Sequence, residues 1–269
     1  MDLQLKDKVA LVTGSSSGIG ASIAKVLAIE GATVIVHGRN TERTKRVANE
    51  IKARGGEAFT VVGDLSKDAE AKTVVEEAFN AIGRIDILVN NAGGTDVAPI
   101  TWESDGLADW KEKFEQNFFS GIRVLNAVLP QMKNLGWGRI VQVSVSSATQ
   151  PGTFMVDVSA AKAAMNNTTA SLAKEFAKFG ITINTVSPGP ILTPTFERVV
   201  RGLAEAYNWG DDWDEIEKRF AQEAVPTPVG RVGRVEEVAN AIAFLVSPLA
   251  GFINGANLRI DGGVVSAVN

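Results

Sequence analysis

A glycine-rich segment near the N terminus has the residue types needed to hold a phosphate group. Residues 13–20 read TGSSSGIG, follow an apolar run and precede a helical pattern. Glycines at a strand-to-helix turn allow backbone N–H groups and hydroxyls to approach a pyrophosphate at the helix N terminus. The segment therefore predicts a dinucleotide site, although a glycine-rich turn alone is also compatible with a purely structural turn.

The residues at the end of the second apolar run bear on which dinucleotide is bound. This end reads His37, Gly38, Arg39 and Asn40, without a carboxylate. An NAD-type site places an acid there, which accepts from the ribose 2′-hydroxyl, whereas the planar donor fork of Arg39 suits a 2′-phosphate. We therefore expect NADP(H) rather than NAD(H), with Arg39 and Asn40 at the cofactor. A solvated loop arginine is the alternative.

Imidazole and phenol chemistry have one candidate residue each, because the chain has one histidine and one tyrosine. These are His37 and Tyr207. We expect His37 to be a strand-end residue near the cofactor pocket rather than a catalyst.

The elements that must position these groups alternate between apolar runs and helical patterns. Continuous apolar runs are typical of parallel strands that are buried on both faces. The predicted strands are Lys8–Thr13, Thr33–His37, Ala58–Val62, Ile85–Asn90, Arg139–Val145, Thr182–Val186 and Ala256–Ile260, and amphipathic helices are predicted at Thr41–Arg54, Lys67–Ile82 and Asp109–Lys133. This alternation predicts an α/β fold, a Rossmann-type doubly wound parallel sheet of about seven strands, with residues 1–269 as a single domain.

One segment, residues 190–228, interrupts this alternation. It has no predicted strand, and it carries several aromatic residues and an acidic cluster at residues 211–215. Long insertions after the C-terminal end of a strand are commonly substrate loops. We expect a helical substrate lid here, called the lid segment below. A helical excursion that only buries its aromatic residues is the alternative.

Composition excludes several classes of function. The net charge is −4 and no Lys/Arg block occurs, so we expect no nucleic-acid or membrane partner. No apolar run reaches the roughly 18 residues that span a bilayer, and the N terminus lacks a signal-peptide pattern. The absence of cysteine excludes disulfides and thiolate chemistry. We expect a cytoplasmic protein with a small-molecule substrate and no metal.

Further motifs follow in a fixed order along the chain. NNAG occupies residues 90–93, Asn117 ends the stretch WKEKFEQN, VSAAK ends at Lys162, and PGPILT begins at Pro188. Together with the glycine-rich segment and the DGG of residues 261–263, this ordered set resembles the classical short-chain dehydrogenase/reductase family over essentially the whole chain.

The resemblance implies cofactor contacts at the matching positions. These are Gly14, Ser16, Ser17, Gly18, Ile19 and Gly20 for the pyrophosphate and adenosine ribose, Asp64 and Leu65 for the adenine, Asn91, Ala92 and Gly93 for the nicotinamide ribose, Lys162 for the ribose hydroxyls, and Pro188, Gly189, Ile191 and Thr193 for the carboxamide.

The resemblance also implies a catalytic serine, tyrosine, lysine and asparagine. The lysine and asparagine match Lys162 and Asn117, but the serine position is Val145 and the tyrosine position is Val158.

Several other residues are candidates to replace the two missing hydroxyls. Ser144 should lie on the opposite face of its strand, so Ser146 or Ser147 is the better substitute for the serine. Tyr207 is a weak substitute for the phenol, since no lysine fixes it. Asp157 is expected to be a helix-start or packing residue.

Several functions remain open at this point. The family implies an NADP(H)-dependent carbonyl reductase or alcohol dehydrogenase, but losing a general acid typically costs ~10²–10⁴ in rate. Hydride transfer to an acceptor that is already activated, such as an iminium ion, needs no protein acid. A non-redox enzyme or a catalytically silent cofactor-binding protein is the alternative. Natural divergence and design are both compatible with the two valines.

Assembly is predicted from two helical stretches, Asp109–Lys133 and Val156–Phe179. Both carry apolar or small residues around much of their circumference. A helix that is apolar on more than one face needs a second partner, and the family resemblance implies a homotetramer with two-fold interfaces. A monomer whose lid covers these faces is the alternative.

Overall fold

A parallel sheet of seven strands forms the centre of the molecule. The structure is a computed structural model that describes residues 1–94, 102, 106–153 and 155–267. In chain order the strands of this sheet are β1 (Val9–Val12), β2 (Thr33–Gly38), β3 (Ala58–Val62), β4 (Ile87–Asn90), β5 (Gly138–Val143), β6 (Ile181–Pro188) and β9 (Asn257–Ile260). Two short strands, β7 (Ile191–Leu192) and β8 (Gly233–Arg234), form a separate two-stranded sheet. The order in the sheet is β3-β2-β1-β4-β5-β6-β9, and all of its strand pairs are parallel.

Nine α-helices in the described ranges connect and cover these strands. They are α1 (Gly18–Ile29), α2 (Thr41–Ala53), α3 (Asp68–Ile82), α4 (Leu107–Phe114), α5 (Ser120–Leu135), α6 (Val156–Phe176), α7 (Pro194–Ala206), α8 (Trp213–Arg219) and α9 (Val235–Leu245). None of the helices in this part of the chain combines the length with the apolar character that crossing a bilayer requires.

The hydrophobic core lies on both faces of the sheet because the strands are apolar on both faces. Every residue of β1 and β4 is buried. One core cluster joins the sheet to α1, α2 and α9, and a second joins its other face to α3 and α5. The predicted doubly wound sheet of about seven strands in a single domain is thereby confirmed. The strand order reverses at β1 and β4, where a crevice opens at the carboxyl ends of the strands.

The predicted helix Asp109–Lys133 is wrong as one continuous element. The structure has α4, a π-helical turn at Glu115–Phe119, and then α5. A π turn inserts an extra residue into a helix, which changes the direction of the side chains around it. Asn117 lies within this turn and is 1% exposed, so the interruption places a predicted site residue.

The expectation that residues 190–228 contain no strand is also wrong, since β7 lies within them and pairs in parallel with β8. Two residues are too few to give a periodic signal in the sequence. The rest of the lid segment is helical, with α7, α8 and a π turn at Phe220–Ala224. It has its own apolar cluster, which is made of Val200, Ala204, Trp209, Ile216, Phe220 and Val232.

Smaller differences concern where elements end. The strand predicted at Arg139–Val145 ends at Val143, and Val145 is the extended residue before a 3-10 turn at Ser146–Ala148. The helix predicted at Val156–Phe179 ends at Phe176, and a 3-10 turn completes it.

Candidate active site

The glycine-rich segment is held against the NNAG loop at the carboxyl ends of β1 and β4. The Asn91 Nδ2 group donates to the carbonyls of Thr13 at 3.0 Å and Gly14 at 3.1 Å. Gly14 has φ +64°, and a Cβ there would lie 2.9 Å from the Ala92 Cα. Only glycine combines this left-handed backbone with such a close approach. The Asn91 side chain, predicted at the nicotinamide ribose, is therefore used to hold the loop.

His37 holds the same loop from the other side, a role that sequence reasoning missed. Its Nδ1 accepts from the Gly14 N–H at 3.0 Å, and its Nε2 lies 3.1 Å from the Gly63 carbonyl. Nε2 must therefore carry the hydrogen. Burial lowers the pKa of His37 to about 4, so the ring is neutral and can accept from Gly14. The sequence placed His37 beside the cofactor pocket, but its bond to the Gly14 N–H depends on how the glycine-rich segment folds.

The end of β2 leaves no room for an acidic side chain at Gly38. A Cβ there would lie 2.6 Å from Thr44 Oγ1 and 2.7 Å from the side chain of Ser16. Arg39, the next residue, is exposed, and no ion-pair partner for it is found among the described residues. The Asn40 side chain caps α2 by accepting from the Arg43 N–H at 2.9 Å. Arg39 is therefore the side chain of this strand end that is free to meet a phosphate.

The loop after β3 places Asp64 and Leu65 differently from each other. The Asp64 Oδ1 accepts from the N–H and the hydroxyl of Ser66 at 3.0 Å and 2.8 Å. Burial acts in the opposite direction, but these bonds and the charge of Arg39 lower the pKa of the Asp64 carboxyl. The Leu65 side chain is 4% exposed and packs in the core, so it is not available to a ligand.

The loop after β6 reaches the glycine-rich segment. A Cβ at Gly18 would lie 3.4 Å from Thr193 Cγ2, and Thr193 caps α7 by accepting from the Phe196 N–H at 3.1 Å. The Gly189 N–H donates to the Ile260 carbonyl at 3.0 Å. The structure therefore brings the predicted cofactor motifs together at one edge of the sheet.

Asn117 and Lys162 meet over Gly93. The Asn117 Oδ1 accepts from the Gly94 N–H at 3.0 Å, and its Nδ2 donates to the Gly94 carbonyl at 3.0 Å. The Lys162 Nζ donates to the Val143 carbonyl at 2.8 Å. A Cβ at Gly93 would lie 2.7 Å from Asn117 Oδ1 and 3.3 Å from Lys162 Nζ. The two matched polar residues thus share one small site.

Lys162 is a buried cation in this site. Its side chain is 6% exposed, and burial lowers its pKa from 10.5 to about 8. The desolvation of a charged amine disfavours its protonated form. Near neutral pH the group still carries its proton, but at a cost in free energy.

Val145 and Val158 are the residues predicted at the family's two hydroxyl positions. Val158 is 7% exposed and lies one helical turn before Lys162 on the same face of α6. Val145 is partly exposed at the carboxyl end of β5. Neither of these two side chains can donate or accept a hydrogen bond.

The five candidates to replace the missing hydroxyls lie in different settings. Ser146 is 8% exposed. Ser144 is buried, with its hydroxyl 3.5 Å from the Lys162 carbonyl. Asp157 is fully buried in the first turn of α6, and its Oδ1 accepts from the Val158 N–H at 2.7 Å. Tyr207 is 64% exposed and stacks on Trp209. Ser147 bonds to Ser159 at 2.8 Å.

Known proteins resemble this chain over its full length. The profile of the short chain dehydrogenase family matches residues 8–203. The uncharacterized oxidoreductase YvrD of Bacillus subtilis is 37% identical over 269 residues, which is 100% of both chains. The 7alpha-hydroxysteroid dehydrogenase of Escherichia coli K12 is 32% identical over 268 residues, covering 100% of this chain and 98% of the relative.

Solved structures show the same fold. The L-sorbose reductase from Gluconobacter frateurii, complexed with NADPH and L-sorbose, matches with a TM-score of 0.93 and 32% identity over 100% of both chains. A 7alpha-hydroxysteroid dehydrogenase complexed with NADH and 7-oxo glycochenodeoxycholic acid matches with a TM-score of 0.85 and 32% identity, covering 100% of this chain and 98% of that one.

Proposed function

This chain belongs to the short-chain dehydrogenase family and is an oxidoreductase, and from that premise we propose that it uses NADP(H) to reduce an acceptor that is activated beforehand, such as an iminium ion. The observation that carries the proposal is the pair of valines beside Lys162. A bound nicotinamide cofactor supplies a hydride, which is two electrons and one hydrogen nucleus.

The residues at the edge of the sheet fit such a cofactor. Gly14 allows close backbone approach, and the start of α1 offers unpaired N–H groups to a pyrophosphate. Ser16, at the closed end of β2, would meet the adenosine ribose, and Lys162 would meet the nicotinamide ribose. The loops that carry Asn91 and Thr193 contact the glycine-rich segment, so one extended ligand can span them.

The preference for NADP(H) is supported by the end of β2. Relatives of similar identity are bound to NADPH in one structure and to NADH in another, so family membership alone does not decide the cofactor. Here a side chain at Gly38 is blocked by Ser16 and Thr44, and Arg39 is exposed. An arginine fork binds a phosphate through paired, charge-assisted hydrogen bonds.

The acceptor class follows from what the site cannot do. A ketone becomes an alkoxide when it takes up a hydride, and it needs a proton from the protein. Val158 and Val145 have no proton to give and cannot orient one. An iminium ion becomes a neutral amine on taking up a hydride, so it requires no proton at that step. The apolar side chains of Val145 and Val158 suit the carbon skeleton of such an ion.

The lid segment supports a cationic substrate. The acidic side chains Asp211, Asp212, Asp214 and Glu215 on it are exposed. A cluster of one sign raises the local concentration of ligands of the opposite sign. We assign the lid segment to substrate capture on this basis.

The experiment that tests the proposed function restores the missing hydroxyls. Val145→Ser plus Val158→Tyr should raise ketone turnover with NADPH by at least ~10²-fold, and Val145→Ser plus Val158→Phe, which adds the ring without its hydroxyl, is the control for added volume. The unmodified protein should reduce an iminium salt. If the unmodified protein turns over ketones at ordinary rates and the double variant changes nothing, another group donates the proton. Binding of NADPH without turnover of any acceptor supports a silent cofactor-binding protein instead.

A homotetramer is part of the same proposal, and so is a cytoplasmic location. Large apolar side chains are exposed in α4 and in the π turn that follows it, namely Leu107 at 72% and Phe119 at 41%. Their burial against another copy would remove apolar area from water. A sedimentation mass near 28.5 kDa at micromolar concentration contradicts this assembly.

A further inference from the structure

Two serines are bonded to each other next to the two valines. Ser147 lies in the 3-10 turn directly after Val145, and Ser159 follows Val158 in the first turn of α6. The Ser159 hydroxyl donates to Ser147 Oγ at 2.8 Å. The two segments that lack a hydroxyl at the family's positions therefore carry hydroxyls two residues and one residue further along, and these meet.

Ser147 is the member of the pair that a ligand can reach. It is partly exposed at the carboxyl end of β5, whereas Ser159 is 4% exposed. The other nearby serines are less accessible to a ligand, because the Ser144 hydroxyl is turned to the Lys162 carbonyl and Ser146 is 8% exposed. The position of Ser147 is fixed by its bond across to α6.

The chemistry of the pair is that of an adaptable binding group. A serine hydroxyl offers one hydrogen and two lone pairs, and it rotates to suit its partners. One bond of Ser147 is used by Ser159, and a lone pair remains for a donor on the substrate. A hydroxyl that accepts from a charged N–H forms a bond about twice as strong as one between neutral groups. Serine is too weak an acid to replace the phenol.

We propose that Ser147 binds the N–H of a protonated imine and that Ser159 is a positioning residue that holds Ser147. This inference rests on the proposed function, and it narrows the substrate to iminium ions whose nitrogen carries a hydrogen. A fully alkylated iminium ion is also reduced, but without this hydrogen bond. Ser147 would thus set the selectivity between the two.

The test compares two substrates that differ in this one hydrogen. One is a cyclic imine of the dihydroisoquinoline type, protonated at the assay pH, and the other is its N-methylated salt. Ser147→Ala should lower kcat/KM for the protonated imine by at least ~10-fold and change the N-methylated salt by less than about twofold. The salt reports whether the variant is folded. Ser171→Ala, at an exposed serine of α6, is the control.

Ser159 is tested by the ratio of kcat/KM for the protonated imine to kcat/KM for the N-methylated salt. A merely structural role would lower both values and leave this ratio unchanged. Ser159→Ala should lower the protonated-imine to salt ratio by a smaller factor, about threefold or more, and Ser159→Thr, which keeps the hydroxyl, should restore it. Equal losses on both substrates for Ser147→Ala overturn the inference.

A binding measurement separates this inference from the proposed function. The dissociation constants of both substrates are measured with the holoenzyme that carries oxidised cofactor, where no hydride is available. Ser147→Ala should weaken only the protonated imine, by at least ~10-fold. If the unmodified protein reduces neither substrate, the proposed function fails, and the ratio of dissociation constants still decides the role of Ser147. An unchanged ratio overturns that role.

Discussion

Replacing Lys162 by methionine should stabilise the folded protein at neutral pH. Burial lowers the pKa of this amine from 10.5 to about 8, a difference worth about 3 kcal/mol in free energy of unfolding. Lys162→Met removes the buried charge and keeps most of the side-chain volume. It also leaves the Val143 carbonyl without its donor, at a cost of about 1 kcal/mol. The expected net gain at pH 7 is about 2 kcal/mol.

The pH dependence gives this prediction its sign. The pKa in the folded state lies below the unfolded value, so between about pH 8 and pH 10.5 the unfolded state binds more protons. The stability of the unmodified protein, as far as this residue contributes, therefore rises with pH across that range, and the full cost of the buried charge is present below pH 8. The advantage of Lys162→Met should shrink by about 1 kcal/mol between pH 7 and pH 9.

The assay is urea unfolding of both proteins at the two pH values, with Lys174→Met as a control at an exposed lysine of the same helix. The control should change stability by less than about 0.5 kcal/mol at either pH. Destabilisation by Lys162→Met at pH 7, or a difference that does not depend on pH, refutes the view of Lys162 as a costly buried cation. A gain in stability with a loss of turnover identifies a residue retained for function.

Three further results are expected. With saturating NADPH, kcat/KM for a permanently charged iminium salt should rise about fivefold from pH 7 to pH 9, because Lys162 loses its charge and no longer repels the substrate; a flat profile contradicts this. Arg39→Ala should raise the KM for NADPH by at least ~10-fold and leave the KM for NADH unchanged. Equal affinity of the unmodified protein for both cofactors contradicts the role of Arg39. Gly38→Asp should destabilise the protein rather than change its cofactor preference to NADH. Thr185→Val should stabilise the protein by about 1 kcal/mol in urea unfolding, because the buried Thr185 Oγ1 has no hydrogen-bond partner among the described residues; a loss of stability would point to an ordered water there.

The parts of the fold that could be predicted are those set by local pattern. Continuous apolar runs gave the strands of the sheet, because a parallel strand buried on both faces has no polar face to show. The glycine-rich segment and the NNAG loop could be placed together, since the carboxyl ends of β1 and β4 are neighbours at the reversal of strand order. The absence of an acidic residue after β2 could also be predicted, because it follows directly from the residue types in the sequence.

The parts that could not be predicted depend on contacts between distant residues. The π turn that buries Asn117 follows no periodicity in the sequence, and the Asn117 side chain there bonds to the backbone of Gly94, on another loop. The acceptor role of His37 requires Gly14 to be folded against it. From residue type alone Ser146 and Ser147 are equal candidates, and the folded structure distinguishes them by the bond of Ser147 to Ser159 and by its greater exposure.

The most direct measurement of the central claim uses the unmodified protein with NADPH and two acceptors of one carbon skeleton. One is an N-methylated dihydroisoquinolinium salt. The other is 1-tetralone, the bicyclic ketone of the same ring sizes, whose carbonyl carbon takes the place of the iminium carbon. Because the proposal places Val158 where the family has a phenol, and a general acid is worth ~10²–10⁴ in rate, we predict that kcat/KM for the iminium salt exceeds that for the ketone by at least ~100-fold. A ketone that is reduced as fast as the salt, or faster, would contradict the account.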